Sequence, residues 1–238
     1  HNAEFKTYKD QVLVESDEAL KDDGDPYVVF TPFSKKWWEY IKSNPPKAFS
    51  SEDLLKSENV LKLDHQEIPS LSSMGFTKSD IEIPSSDLDK EVLEHYADKR
   101  DIPSERGTSR MGVHLRFGTV SIRQLASKAL EISSKYVNEL AWREFYMSIL
   151  YHFPRVVNHS FREKYDEIKW KNDEEEFKKW CEGKTGYPIV DAGMRELNNT
   201  GYMHNRVRMI VASFLTKHLL IDWRWGEAYF ARKLFKAL

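Results

Sequence analysis

Residues 201–220 read GYMHNRVRMIVASFLTKHLL, and this stretch combines a helical apolar repeat with polar side chains that the repeat does not explain. Helical spacing places Asn205, Arg208 and Ala212 together on a second face of the same helix. An amide and a guanidinium beside a small residue suit a bound ligand but do not require one. The apolar residues recur at spacings of three and four and predict a largely buried helix: Met203, Val207, Ile210, Val211, Phe214, Leu215 and Leu219.

The polar side chains on this predicted helix need partners. Burying Asn205 and Arg208 without hydrogen bonds would cost several kcal/mol, so either protein acids or a ligand must satisfy them. No acidic residue lies four positions before or after Arg208. Its partner must therefore come from elsewhere, as a carboxylate of the protein or as a bound molecule.

Composition indicates a globular protein. The chain has 238 residues, of which 40% are hydrophobic, and this is enough to build a core. The single cysteine, Cys181, excludes an internal disulfide and is typical of a reducing compartment. No run approaches the roughly 20 apolar residues of a membrane span, and no signal peptide opens the chain. We predict a cytoplasmic protein without a membrane partner.

The charge is unevenly distributed along the chain. The net charge is only -2, but acidic residues outnumber basic ones in residues 1–100, and the reverse holds for residues 101–238. A basic surface for nucleic acid on the later part is one interpretation, and ordinary solvated charge is the other. Charge alone leaves both open.

The periodicity predicts a mainly α-helical protein. Residues 10–20 read as a short strand, and an aromatic helix follows that Pro45 and Pro46 stop. Residues 47–90 are polar and predict a long surface connection, with a short helix near 76–81. Asp173, Pro188 and Gly201 are typical of helix ends. Helices are predicted over residues 86–99, 121–134, 136–153, 173–183, 188–201, 203–220 and 225–234.

The stretch RGTSRMGVHLRFG, residues 106–118, is the first further candidate site. Thr108 and Ser109 precede a predicted helix, whose free backbone N–H groups and dipole favour negative charge. A phosphate group could bind there. The alternative is an ordinary helix start with an exposed Arg110.

The stretch NELAWREFY, residues 138–146, is the second. Helical spacing places Glu139, Trp142, Arg143 and Tyr146 on one face. An acceptor, a stacking plane and a cation together suit an unstacked base, since aromatic stacking contributes roughly 1 to 3 kcal/mol per base. The alternative is an ion pair between Glu139 and Arg143, with Trp142 in the core.

Other chemistry finds little support. The sequence contains no Walker motif, no dinucleotide-binding glycine pattern, no HExxH or paired-cysteine metal spacing and no nucleophile elbow. The eight histidines are scattered, so no metal site is predicted.

Three stretches together resemble the DNA photolyase and cryptochrome family, and most of all a class I cyclobutane pyrimidine dimer photolyase. They are WCEGKTGYPIVDAGMRELNNTGYMHNRVRMIVASFLTKHLLIDWRWGEAYF at 180–230, TSR at 108–110 after RDIPSERG, and NELAWREFY. The resemblance implies a mainly α fold, the helical FAD-binding domain of photolyase type, with a short β remnant of an N-terminal α/β antenna domain. It implies an antenna-domain tail at 1–33, a connecting segment at 34–90, and a helical domain at 91–238 that lacks its C-terminal part.

The resemblance also implies FAD as cofactor and, in the full-length protein, a second antenna chromophore of unknown identity. Gly112 stands where family members often have Ser, and Tyr136 replaces a common Trp. The residues implied to bind FAD are Tyr96, Thr108, Ser109, Arg110, Met111, Gly112, Tyr136, Arg143, Asn205 and Arg208.

The function implied is light-driven repair of cyclobutane pyrimidine dimers by electron transfer from reduced FAD, with the lesion flipped out of the duplex. The partner is damaged DNA, and the protein is expected to be a monomer. Implied catalytic residues are Glu139, Trp142 and Asn205, and implied electron-transfer residues are Trp170 and Trp223. Implied DNA-binding residues are Arg100, Glu139, Trp142, Arg143, Tyr146, Asn205 and Arg206.

Two other functions remain open. A cryptochrome-type blue-light photoreceptor would share the fold and FAD but would not repair DNA. Glu139 beside Trp142 favours repair, because several cryptochromes carry another residue at the Glu139 position. The third possibility is a helical nucleic-acid-binding module without a cofactor.

Overall fold

The computed structural model describes residues 4–49, 67–78 and 80–235, and these are mainly α-helical. Two short 3-10 turns, Pro154–Val157 and Glu163–Tyr165, lie in the connection between the sixth and seventh helices. The helices are α1 (Phe30–Ser43), α2 (Lys90–Glu94), α3 (Tyr96–Lys99), α4 (Gly112–Phe117), α5 (Ile122–Leu130), α6 (Ser134–His152), α7 (Glu174–Glu182), α8 (Pro188–Thr200), α9 (Asn205–Lys217) and α10 (Trp223–Lys233).

Local capping sets the helix ends, as the sequence predicts. The Asp173 carboxylate accepts a hydrogen bond from the backbone N–H of Glu176 and starts α7. Pro188 is the first residue of α8, where its missing N–H costs nothing, and Gly201 ends that helix in the left-handed conformation. The helix that precedes the two prolines ends at Ser43.

Two local predictions were wrong. Residues 10–20 form no strand, and the described part of the chain contains only an isolated bridge between Leu20 and Pro26. The backbone N–H groups of Leu13 and Val14 donate to the Glu144 carboxylate instead of to a partner strand. The helix expected near 76–81 does not form at residues 76–78 or 80–81, while residue 79 lies outside the described residues.

A first hydrophobic core joins the N-terminal segment, residues 4–29, to the six helices α1 to α6. The fully buried side chains of Trp37, Leu93 and Val137 belong to it. Leu13 and Val14 lie in the same core, so the N-terminal segment packs directly against α6. The proposed division at residue 33 stays a prediction.

A second hydrophobic core is formed by α7 to α10. Trp180, Met194, Leu197 and Ile221 are completely buried within it. Gly193 allows α8 and α9 to pack closely, since a Cβ there would lie 2.5 Å from a methyl group of Val207.

Polar contacts connect the two cores across what we call the seam, the boundary between the α3 and α6 side and the α8 and α9 side. The Arg100 carbonyl accepts a hydrogen bond from His204, and Asp101 pairs with Arg206. The hydroxyl of Thr108 lies 3.0 Å from that of Tyr202. Most of the predicted site residues lie along this seam.

None of the helices within the described ranges is both long enough and apolar enough to cross a lipid bilayer.

Candidate functional site

The loop before α4 meets two buried tyrosines. Tyr96 of α3 and Tyr136 of α6 pack edge to face, with ring centroids 5.1 Å apart. The hydroxyl groups of Ser109 and Tyr136 are 3.1 Å apart. Burial raises the pKa of both tyrosines, so both keep their hydroxyl protons at neutral pH. The structure therefore brings together three of the residues predicted to bind a cofactor.

Across the seam the same loop contacts Tyr202. The Arg110 guanidinium lies over the Tyr202 ring, 4.5 Å from its centroid, beside the hydroxyl contact of Thr108. Arg110 has φ of 54°, a left-handed conformation that costs energy for a residue with a side chain. Met111 is buried, and α4 begins directly after it at Gly112. The loop is thus held from both sides of the seam.

Arg208 of α9 is one of two arginines among the described residues whose buried Nε finds no acceptor; the other, Arg123, donates through both Nη atoms to Lys9 and Asp10. The Nη2 of Arg208 donates to the carbonyl of Met203 at 3.1 Å, while its buried Nε has no hydrogen-bond partner among the described residues. Burial lowers the pKa of the Arg208 guanidinium, and no carboxylate pairs with it in the part of the chain that the structure describes. A buried guanidinium with an unused donor is costly unless an acceptor is supplied.

The helix α9 is less buried than its apolar repeat predicts. Met203, Val207 and Phe214 are buried as expected, but Ile210 is 43% exposed. Asn205 is exposed as well, and its amide lies 3.9 Å from the sulfur of Met209. Ile210 lies at the edge of the apolar stripe, so a small rotation of the helix leaves it uncovered. The prediction of a largely buried helix is therefore wrong on this side, which is open.

The side chains of the NELAWREFY stretch do not form a single patch. Arg100 donates to the carboxylate of Glu139, whereas Arg143 donates to the backbone carbonyl of Gln11 at 2.8 Å. The alternative ion pair between Glu139 and Arg143 is therefore not formed. Glu139 faces the seam, and Arg143 contacts the N-terminal segment.

Trp142 already has an aromatic partner. Phe30, the first residue of α1, stacks on it with ring centroids 3.4 Å apart and planes within 9°. The ring of the exposed Tyr146 lies 5.7 Å away at 23°. Any base that stacks on Trp142 must use the surface that Phe30 leaves free.

His204 links α9 to the residues after α3. Its Nε2 donates to the carbonyl of Arg100 at 3.0 Å, and its Nδ1 accepts from the backbone N–H of Arg206 at 3.2 Å. These two bonds fix the tautomer with the proton on Nε2. The side chain is buried and caps α9. Spacing within the sequence gave no sign of this role.

Glu144 is a second residue that sequence reasoning missed. Its carboxylate accepts from the N–H groups of Leu13 at 2.6 Å and Val14 at 3.1 Å, and from the indole of Trp37 at 2.6 Å. Burial raises its pKa to about 7 in spite of these three donors. The sequence did carry one signal for this role. Glu144 lies on the inner side of a helix, and a buried acid needs hydrogen-bond partners.

The two predicted electron-transfer tryptophans lie in one groove. Trp170 and Trp223 line an apolar groove of about 550 Å³, together with Tyr146 and Ile149 of α6 and Thr216 of α9. The Arg224 guanidinium lies 4.8 Å from the centroid of Trp223. The structure therefore brings these two residues together at the edge of the seam.

No cluster of three or more His, Cys, Asp or Glu side chains suited to a metal ion occurs among the described residues.

Comparison with known proteins identifies the family. Residues 136–237 match the family model described as the FAD binding domain of DNA photolyase. The deoxyribodipyrimidine photo-lyase of Halobacterium salinarum is 39% identical over 250 residues, which cover 95% of this chain and 52% of that protein. The chain spans about half the length of the curated relatives it matches.

Solved structures agree with the sequence match. A class III photolyase from Agrobacterium tumefaciens gives a TM-score of 0.75 at 31% identity, covering 96% of this chain and 51% of that one. A cryptochrome from Synechocystis sp. also gives 0.75, at 28% identity, covering 96% and 52%. The helical fold class is therefore confirmed, and the chain belongs to the DNA photolyase and cryptochrome family.

Proposed function

We propose that this chain supplies the helical, FAD-binding part of an enzyme that repairs cyclobutane pyrimidine dimers in DNA under light. The observation that carries the proposal is Arg208, whose buried Nε donor has no acceptor within the described protein. It lies in the residues that match the FAD-binding family model. The name of the relatives, deoxyribodipyrimidine photo-lyase, supports the substrate class.

The residues along the seam fit FAD. The unused donor of Arg208 and the amide of Asn205 can bind polar edges of a flavin ring, and the protonated tyrosines Tyr96 and Tyr136 provide aromatic walls. Thr108, Ser109, Arg110, Met111 and Gly112 would hold the phosphates. When bound and reduced, FAD supplies the electron that splits the dimer on illumination.

The protein's own task at the lesion is to bind and orient a flipped dimer. Glu139 would accept hydrogen bonds from the base edge, and the free surface of Trp142 would stack on a base. Asn205 is exposed and would contact the lesion from α9. The residues proposed to face DNA are Arg100, Arg143, Tyr146 and Arg206. Arg100 and Arg206 already have carboxylate partners, and Arg143 already donates to the carbonyl of Gln11.

Trp170 and Trp223 would carry an electron along the apolar groove that they line. Four further statements remain predictions of the same proposal: a cytoplasmic location, a monomeric state, a second chromophore, and domain boundaries at residues 33 and 90.

A cryptochrome-type photoreceptor is the second candidate, because the cryptochrome from Synechocystis sp. superposes with the same TM-score as the photolyase. Glu139 separates the two candidates. Its carboxylate faces the seam, where a flipped base would need an acceptor.

One experiment tests the proposal. The full-length protein is purified, loaded with FAD, and illuminated in the presence of duplex DNA that carries a single dimer, with an unilluminated sample as control. Flavin absorbance with loss of dimers supports repair, and flavin absorbance without loss supports the photoreceptor. A protein that binds no flavin would refute both.

A further inference from the structure

Four charged side chains form a continuous chain across the seam, here called the charge chain: Glu139, Arg100, Asp101 and Arg206. Arg100 donates through Nη1 to Glu139, and its Nε lies 3.4 Å from Asp101. Arg206 in turn donates through Nε to Oδ1 of Asp101 at 2.9 Å, and its Nη2 lies 2.9 Å from Oδ2 of the same carboxylate. The charge chain therefore runs without a break from α6 to the start of α9.

Asp101 binds the Arg206 guanidinium in the way that a phosphate would. The two oxygens of Asp101 face two nitrogens of one guanidinium, which is the side-on approach that a phosphate group also uses. The hydrogen bond from Arg206 lowers the pKa of Asp101, so the carboxylate is ionised at neutral pH. Asp101 and Arg206 are 48% and 46% exposed, which leaves room for exchange with a ligand.

The charge chain is also electrically balanced. Two carboxylates, Glu139 and Asp101, face two guanidinium groups, Arg100 and Arg206. DNA phosphates are attracted by unpaired positive charge, and this part of the seam offers little of it until one carboxylate is displaced.

We infer that Asp101 competes with DNA phosphate for Arg206, and that this competition sets the selectivity between damaged and undamaged DNA. The inference rests on the proposed repair function. It assigns to Asp101 a positioning role, because the residue acts through Arg206 and not on the lesion itself.

The charge chain explains how a lesion would favour the exchange. A flipped base that donates to Glu139 weakens the bond between Glu139 and Arg100. Arg100 can then pair more closely with Asp101, which lies within reach, and Asp101 releases Arg206 to bind a phosphate. Undamaged DNA presents no flipped base, so its phosphate must displace Asp101 without this help.

The test compares Asp101→Asn with the control Asp98→Asn. Asp98 is exposed on α3 and makes no ion pair within the described part of the chain, so the control removes the same charge nearby. Binding of the full chain, loaded with FAD in the dark, is measured by fluorescence anisotropy on duplexes with and without one dimer, over a range of salt concentrations.

We expect Asp101→Asn to bind undamaged duplex about three- to tenfold more tightly, with a log–log salt slope steeper by about 0.9, as one extra phosphate contact predicts. Binding to the dimer-containing duplex should tighten less, so the preference for damage falls. Asp98→Asn should keep the wild-type preference.

Other results would overturn the inference. Equal tightening on both duplexes, or an Asp101→Asn protein that behaves like Asp98→Asn, would show that Asp101 does not control selectivity. A wild-type protein with no preference for dimers would refute the proposed function itself, and that failure is visible without any variant. Urea unfolding of both variants, with Asp101→Ser as a second substitution, checks that the fold is intact.

Discussion

Glu144 gives the sharpest test of the fold, because its carboxylate holds three separate parts of the chain together. Two backbone N–H groups of the N-terminal segment and the indole of Trp37 in α1 all donate to it. In Glu144→Gln the NH₂ group of the new amide replaces one carboxylate oxygen, so that N–H groups face the N–H donors. At least one buried donor then loses its acceptor, at a cost of about 1 to 3 kcal/mol.

The stability difference between wild type and Glu144→Gln should depend on pH, and the pKa of Glu144 decides whether the difference rises or falls with pH. Burial raises the pKa of Glu144 to about 7 in the folded protein, against an ordinary value of 4.5. The folded state therefore binds the proton more tightly than the unfolded state. The stability that Glu144 gains from this tighter proton binding is fully present below its ordinary pKa. It is lost as the pH rises through the pKa that Glu144 has in the folded protein. At about 1.4 kcal/mol for each pKa unit, the loss is about 3 kcal/mol.

Urea unfolding, followed by tryptophan fluorescence between about pH 5 and pH 8, measures this effect. Wild type should be more stable than Glu144→Gln at the acidic end, and the difference should shrink by about 3 kcal/mol at the alkaline end. Glu131→Gln, on an exposed carboxylate at the end of α5, is the control and should show no such trend. A difference that stays constant with pH would refute the reasoning, because the three donors would then cancel the effect of burial on the pKa; a difference that grows with pH would show that they outweigh it.

Three further predictions follow from the site and the packing. Glu139→Gln should reduce dimer loss per absorbed light about tenfold, the effect of losing roughly 1.4 kcal/mol, while flavin content stays the same; unchanged repair would contradict the proposed role. Arg208→Leu should lower the flavin absorbance retained after purification, whereas Arg232→Leu, on the exposed end of α10, should not. Gly193→Ala places a Cβ 2.5 Å from a methyl of the stiff Val207 side chain, so urea unfolding should show a loss of about 1 to 3 kcal/mol.

The helices could be predicted from the sequence because their signals are local. Asp173, Pro188 and Gly201 define the ends of α7 and α8 through contacts with residues a few positions away. The apolar repeat of α9 likewise identifies the helix, but it cannot say which elements cover each side. Ile210 belongs to the repeat and is nevertheless exposed, because its edge of the helix is uncovered.

The partners of the charged residues could not be predicted, because they are distant in sequence. Glu139 pairs with Arg100, 39 residues away, and not with Arg143, which is one helical turn away. Glu144 binds the N–H of Leu13 across 131 positions, and this contact replaces the strand expected there. An alternating pattern indicates an extended segment, but a strand also needs a second strand to pair with.

The two hydrophobic cores have a consequence for how the protein should respond to its cofactor. Each core has its own apolar driving force, whereas the junction between them depends on contacts such as those of His204 and Asp101. A molecule bound at once by Tyr136 on one side and Arg208 on the other would add its binding free energy to that junction alone. The two cores should therefore unfold more cooperatively as the concentration of this molecule increases.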